Sequence, residues 1–430
     1  MLKRKSGPSY MFSFAFVLVV VIASTASAQL LYDPLVVYES FTENGVLPGA
    51  RAAAMGGAQI AAGMDGSALW YNPALLTRIR HSEISGTLTH QIFSNKTSLL
   101  AGARQETDVS NTRLGSLWGI FPVPTYRGGL TLGISVNRIR NFDRIFRYAS
   151  SNTWLGDPTG SDGWGGGEDE NGSLRVWSLG GAVEISPKTS IGLSLDIYDG
   201  DDSWTFFFDS TSISDNYRYS YQHTIADDYT GISGKVGITY TVNNHLNLSG
   251  VINFPTSITI DQTSDIFEFD NQGLDEADYS SSSYKYTLPF GFDAGAAFRY
   301  EDLTIAGDIG YTDYTQLEYR SGLFDLPGLN QTVKKYYNDI FTYHVGAEYL
   351  IRPAGVRLRA GYYQDPIAFT GFPIETEPHY FTFGAGFIID RSINIDLAYL
   401  TGSWERDDPS ISSSEKYNVQ RFMVTISYRM

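Results

Sequence analysis

Cysteine is absent from the 430 residues, which excludes disulfides, thiolate nucleophiles, iron–sulfur clusters and cysteine-based zinc sites together. Charge is scarce: 18% of residues are Asp, Glu, Lys or Arg, below the roughly 25% of an ordinary soluble domain. Basic charge is the scarcer sign, with 31 Lys and Arg against 47 Asp and Glu for a net charge of −16. No basic patch exists to neutralise phosphates, so nucleic acid is excluded as a partner. The six histidines, at 81, 90, 223, 245, 344 and 379, include no pair four residues apart and no His-Glu-x-x-His, so no metal site is expected. No Gly-x-Ser-x-Gly elbow occurs; neither an enzyme nor a cofactor is expected. Beyond the amino terminus no run of ~18 apolar residues appears, and the mean hydropathy of −0.17 is too polar for a bundle of membrane helices.

What the chain does have is aromatic residues, 29 Tyr, 25 Phe and 7 Trp, together with 43 Gly and 16 Pro, a composition that favours strands and turns. Residues 1–28 open with Lys3-Arg4-Lys5, pass through an apolar stretch from Met11 to Ala23 and end Ala26-Ser27-Ala28. Basic start, short apolar core and small-residue end together read as a cleaved secretory signal. The apolar core of about 13 residues is too short to span a bilayer as a helix. Loss of the three basic residues leaves the mature chain still more acidic. Whatever stays in a membrane must then do so as a closed barrel, in which every backbone group is paired.

From residue 83 onward, segments of about ten residues alternate apolar and polar, the length of a tilted membrane strand. In Ile393-Asn394-Ile395-Asp396-Leu397-Ala398-Tyr399 the odd positions are greasy and the even ones wet; a period of two puts them on opposite sheet faces. Candidate strands lie near 83–93, 96–104, 113–121, 128–140, 174–185, 190–199, 229–241, 245–254, 284–299, 302–312, 337–350, 355–364, 379–389, 393–403 and 418–429. Short connections such as 186–189, 242–244, 301, 352–354 and 390–392 alternate with long polar ones, 141–173, 200–228, 255–283, 313–336, 365–378 and 404–417. Short turns on one rim and long loops on the other mark an outer-membrane barrel. Bacterial barrels have an even number of strands, so fourteen are expected: 96–104 is the first, and 83–93 either precedes the wall or belongs to one long kinked first strand.

This register turns Asp196, Lys235, Asp293, Arg299, Asp308, His344, Glu348, Arg357, Arg359, Asp396 and Arg421 toward the lumen, opposite an apolar face in every case. With both signs present, strong ion selectivity is not expected. The stretches Asp162–Asn171 and Asp199-Gly200-Asp201-Asp202 hold the hard oxygen ligands that calcium favours, yet read as solvated loops. Trp204, Phe206, Phe207 and Phe208 are expected in an interfacial girdle or in an access groove.

Residues 29–82 do not alternate and are too short for a core of their own. Their small residues, Gly49-Ala50-Arg51-Ala52-Ala53-Ala54-Met55-Gly56-Gly57-Ala58 and then Ala61 to Leu76, suit a compact plug inside a barrel. Here the chain resembles the FadL-type outer-membrane transporters of long-chain fatty acids and aromatic hydrocarbons. The resemblance rests on Arg51, Met55-Gly56-Gly57-Ala58, Asp65 and above all Asn72-Pro73-Ala74. Weaker matches are Leu132 to Phe142, Tyr311-Thr312-Asp313-Tyr314, Val345 to Tyr349 and Val356 to Tyr362. It implies an all-β fold, a transmembrane antiparallel barrel of about 14 strands with an N-terminal hatch in the lumen, divided as 1–28 signal, 29–82 hatch and 83–430 barrel.

The function it implies is passive uptake of a fatty acid or hydrocarbon across the outer membrane of a Gram-negative bacterium. A hatch carrying Arg51, Gly56, Gly57, Asp65, Asn72, Pro73 and Ala74 would gate the route, and ligand would leave through the barrel wall. The implied partners are the hydrophobic ligand and outer-membrane lipids, and the barrel is expected as a monomer without a cofactor. Two alternatives stay open: a PorV-type barrel serving as a protein-secretion partner, which shares Gly-Gly-Ala and Asn-Pro-Ala motifs, and an open porin. The chain ends in Met430, where barrels usually carry an aromatic residue.

Overall fold

Eighteen hydrogen-bonded segments join into one antiparallel sheet whose first segment pairs with its last, so the sheet closes on itself. A computed structural model of the chain describes residues 45–99, 102–150, 163–213, 216–370, 374–390, 392–408 and 413–430. The expected signal at 1–28 and the start of the hatch lie outside these residues. Three wall strands are each interrupted once, and a short segment, Glu318–Ser321, belongs to an outer loop, leaving fourteen wall strands. They are β1 Glu83–Ser98, β2 Gln105–Val123, β3 Leu130–Asn141 with Arg144–Ala149, β4 Gly163–Ser186, β5 Thr189–Ser212, β6 Tyr217–Thr241 and β7 Leu246–Asn253 with Thr256–Asp270. The circuit continues through β8 Asp275–Leu288 with Gly291–Tyr300, β9 Leu303–Asp313, β10 Asp339–Ile351, β11 Val356–Gln364, β12 Ile374–Asp390, β13 Ile393–Asp408 and β14 Ser413–Arg429. Pro255 and Pro289, which cannot donate to a ladder, fall in the breaks of β7 and β8 at one level, beside the pairs Thr256↔Leu288 and Asn253↔Gly291.

Alternation decides which face meets lipid. Ile84, Leu88, Leu132, Ile134, Leu179, Leu193, Leu195, Ile305 and Val424 point outward and form an apolar belt. Their neighbours Ser85, Thr87, Thr131, Ser135, Ser178, Ser194, Thr304 and Thr425 are buried facing the lumen. A charge in the belt is costly, so Leu195→Arg is expected to lower barrel stability by about 2 to 4 kcal/mol, read from reversible urea unfolding in lipid vesicles.

Two expectations are corrected. Of the two readings of 83–93, the one long first strand holds and the separate entry piece does not; the end of that strand is what changes, since β1 runs unbroken from Glu83 to Ser98 and β2 starts at Gln105. Within it Asn95 is a lumen-facing residue, 1% exposed, donating to the Ile145 carbonyl at 2.9 Å. The long connections 141–173, 200–228 and 255–283 are largely strand, because β4, β5, β6, β7 and β8 rise far beyond the belt. Outside hydrocarbon, outward positions need not be apolar, and the pattern inverts to aromatic inside and polar outside.

Trp204, Phe206 and Phe208 accordingly face inward against His223, Tyr221 and Tyr219, while Phe207 lies on the other face beneath Arg147. Gly163–Asn171 is likewise strand rather than loop, with Asp169 paired to Arg147 and Glu170 to Arg144. Among the described residues no group of three or more His, Asp or Glu is placed to hold a metal ion. On the outer side, helix Leu326–Tyr336 is capped by Asp325 accepting from Gly328 N at 3.0 Å. It buries Leu329 and Val333 in a cluster with Tyr284, Tyr286, Tyr319, Tyr337 and Phe369.

Candidate functional site

Inside the barrel the chain from Gly45 to Ser82 folds into a plug built of small residues. A one-and-a-half-turn helix, α1 Ala50–Ala54, and a short helix, α2 Ala68–Tyr71, flank a buried turn, and a 3-10 turn Pro73–Arg78 leads to β1. Helices this short are not stable alone; the wall holds them. Gly56 and Gly57 have φ of +62° and +76°, a region that residues with a Cβ rarely adopt.

The wall is notched to receive the plug. Lumen-facing Gly346 and Gly361 are direct cross-strand partners, and a Cβ on either would overlap the Met55–Gly56 backbone. Gly192 and Gly237 are likewise partners, and a Cβ there would overlap Ala74 or the Asn72 side chain. Asn72 is fully buried: its Nδ2 donates to Ile60 O at 2.8 Å, and its Oδ1 accepts from Ala74 N at 3.0 Å. Pro73 restricts Asn72 to extended backbone, observed at φ −152°, ψ 102°.

Polar contacts tie plug to wall at several points. Arg51 Nε donates to Glu348 at 3.2 Å, Arg359 donates to the same carboxylate at 2.7 Å and to Asp396 at 2.7 Å, and Asp65 lies 3.8 Å from Arg51. Asp65 also accepts from Ser67 N at 3.0 Å. Asp308 accepts from Ile60 N at 2.9 Å, and His344 Nδ1 meets Gly56 O at 2.7 Å. Lys235 donates to Trp70 O at 2.7 Å and pairs with Asp196 at 3.4 Å.

Glu348→Ala would leave the buried Arg51 and Arg359 guanidiniums facing each other. Removing one partner of a buried ion network costs roughly 3 to 5 kcal/mol, and faster amide exchange across α1 is the expected readout.

Arg51, Gly56, Glu348, Arg359 and Asp396 thus meet in one sector of the lumen, and Asn72, Pro73 and Ala74 in another beside Lys235 and Asp196. Asp293 stands apart, accepting from Asn253 Nδ2 at 2.7 Å, and Arg299 and Arg357 make no ion pair with a carboxylate among the described residues. Arg421, fully buried, donates to Gln91 at 2.7 Å and to Gly45 O at 2.6 Å.

The sequence did not locate a break in the wall. Among the described residues, pairing between β2 and β3 runs only from Val123↔Leu130 to Ser116↔Asn137; above that, Glu106–Leu114 pairs with β1 alone. A bulge at Arg138/Arg140 bends β3, and its second segment, Arg144–Ala149, pairs with β4 while Phe146 packs on the lumen-facing Phe93 and Tyr417. Side chains span the resulting slot. Asp143, 3% exposed, accepts from Arg113 at 2.8 and 3.0 Å and from Asn111, while Thr107 donates to Ile145 O at 2.6 Å. From the lipid side Arg138 reaches the Leu114 carbonyl at 3.5 Å.

The chain leading into the plug is attached to the slot's edge: Gly45 bridges Arg140, and Val46 N donates to Ile139 O at 2.9 Å. Aromatic rings line the inner wall between plug and slot. His344, Tyr363 and Tyr380 stack in succession, with centroids 5.4 and 4.4 Å apart, and Trp404 stacks on Tyr417 at 4.9 Å, which leads through Phe93 to Phe146.

The architecture is that of a hatch-plugged transmembrane β-barrel, antiparallel and fourteen-stranded. Scans against family models and against curated proteins find no match. Among solved structures the chain is similar to the toluene transporter TodX of P. putida, at 17% identity over 89% of this chain and 98% of that one, with a TM-score of 0.64. It is similar also to a Pseudomonas aeruginosa FadL homologue (14%, 90% and 99%, TM-score 0.63) and to the Ralstonia pickettii toluene transporter TbuX (14%, 91% and 99%, TM-score 0.57). The chain therefore has the FadL-type fold.

Proposed function

We propose that this barrel lies in the outer membrane of a Gram-negative bacterium as a monomer and takes up hydrophobic small molecules passively. Ligand enters from the long-loop side, passes along the aromatic inner wall and leaves sideways through the slot between β2 and β3, while the hatch blocks the axial route. The observation that carries this reading is the loss of backbone pairing between Glu106–Leu114 and β3 among the described residues. A barrel normally leaves no edge unpaired in hydrocarbon, and here the unpaired stretch begins level with the lipid-facing Leu114 and Leu117. Attachment of Gly45 and Val46 to the slot's edge gives the hatch a direct mechanical link to it.

Arg51, Gly56, Gly57, Asp65, Asn72, Pro73 and Ala74 position the hatch. Asp308, His344, Glu348, Arg359 and Asp396 hold it from the wall, with Asp293, Arg299 and Arg357 elsewhere on the lumen face. Two neighbours of this fold are toluene transporters, so monoaromatic hydrocarbon is the ligand class to try first. Cells expressing the protein in a strain lacking its own hydrocarbon channels are expected to accumulate labelled toluene several-fold faster than cells carrying an empty vector, with labelled oleate as the fatty-acid comparison. Equal rates with and without the protein, for both compounds, would end this reading.

A further inference from the structure

The short-turn mouth of the barrel holds more positive charge than its carboxylates neutralise. Three arginines reach it from separate elements: Arg78 ends the 3-10 turn of the hatch, Arg299 lies one residue before the end of β8, and Arg357 lies one residue into β11. Each is half-buried on the lumen side. Arg78 donates to Ala61 O at 2.8 Å and to Thr239 Oγ1 at 3.3 Å. Arg299 contacts Thr304 Oγ1 at 3.5 Å and the Met64 sulfur at 2.9 Å, a weak acceptor. The Arg357 side chain has no hydrogen bond to any described residue, and none of the three forms an ion pair with a carboxylate among them.

Arg78 from within the hatch and Arg299 from the wall both contact the turn Ala61–Met64, and Met64 is 40% exposed at the mouth. The carboxylates nearby are already engaged, Glu348 by Arg51 and Arg359, Asp396 by Arg359 and Asp65 by Arg51. Arg299 is repelled by Arg78 and Arg51, and Arg357 by Arg359 and Arg51, while Glu348 attracts both and Asp396 attracts Arg357 without forming an ion pair with either. Five guanidiniums thus share three carboxylates. The Nη2 of Arg51, itself 7% exposed, is buried without a hydrogen-bond partner. In a chain of net charge −16 this local excess is the opposite of the average, and unpaired guanidinium forks inside a low-dielectric wall raise the affinity for an anion.

We infer that the short-turn mouth is an anion-binding site, built by Arg78, Arg299 and Arg357 around the Met64 turn, for the carboxylate or phosphate group of a small molecule. The inference is independent of the lateral route. Such an anion could be the ionised end of an amphiphile or a soluble phosphate, and the two are separated by the probe. Purified full-length protein in neutral detergent is titrated calorimetrically with inorganic phosphate and, separately, with octanoate at low salt.

Saturable binding of at least one anion is expected, weakening as sodium chloride is added. Arg299→Gln and Arg357→Gln are each expected to weaken it about tenfold, since each removes one charged fork. Arg352→Gln, on an exposed arginine paired with Asp302 on the rim, is expected to leave it unchanged. Phosphate binding without octanoate binding points to a soluble anion, and octanoate binding to an amphiphile; both results support the site. The Arg357 side chain makes no hydrogen bond or ion pair among the described residues, so its variant keeps the test valid if Arg299→Gln fails to assemble. The site is refuted if neither anion binds saturably, or if affinity is the same in Arg357→Gln as in the wild type.

Discussion

Joining positions 111 and 143 across the slot is expected to stop uptake and to do so reversibly. Asn111 and Asp143 face each other from the unpaired stretch of β2 and the bend of β3, and their side chains are hydrogen-bonded. The chain has no cysteine, so Asn111→Cys with Asp143→Cys offers the only thiols to a short bis-methanethiosulfonate reagent. Left unlinked, the double variant has lost the Arg113–Asp143 pair and the Asn111 bond that span the slot, so toluene uptake should equal or exceed that of the wild type. Linked, it should fall by about tenfold or more, because passage then depends on a gate that can no longer open, and a reductant should restore it. Unchanged uptake in the linked protein would show that ligand does not pass between β2 and β3.

Filling the glycine notch is expected to have an equally large effect in the opposite direction. Gly192 and Gly237 are cross-strand partners whose missing side chains make room for Asn72, Pro73 and Ala74. Valine is a good strand residue, so Gly192→Val should leave the wall intact while its side chain occupies the space of the Ala74 backbone. Overpacking a filled site costs typically 1 to 3 kcal/mol, and the plug, being the part without a ladder of its own, is what yields. Conductance in planar bilayers should rise roughly tenfold toward that of a water-filled barrel. Gly307→Val is the matched control, because Gly307 points outward with nothing closer than His344 O at 3.8 Å. If Gly192→Val conducts no better than Gly307→Val, the hatch is not held by this notch.

Much of the barrel was legible because a strand's faces are set by a local period of two. Ile393 to Tyr399 shows its inward Asp396 and outward Leu397 without reference to any other strand, and the lumen row of Asp308, His344 and Glu348 followed in the same way. Asn72-Pro73-Ala74 was also readable, since a proline after an asparagine constrains the backbone wherever it occurs. The end of β1 was less legible: the strand stops at Ser98 rather than running on to 104, while Asn95 inside it is held by the Ile145 carbonyl of a distant segment.

Composition and alternation, then, determined a closed antiparallel barrel, its lipid and lumen faces, and a small-residue segment suited to its interior. Only the tertiary structure decided where the wall is broken, because whether the backbone groups of Glu106–Leu114 find a neighbour depends on where β3 bends. Arg113 and Asp143 read as ordinary polar residues until they meet across that break. In the same way a lumen-facing glycine becomes a seat, and three separate arginines become a positive mouth, only when closure of the sheet brings distant strands to one place.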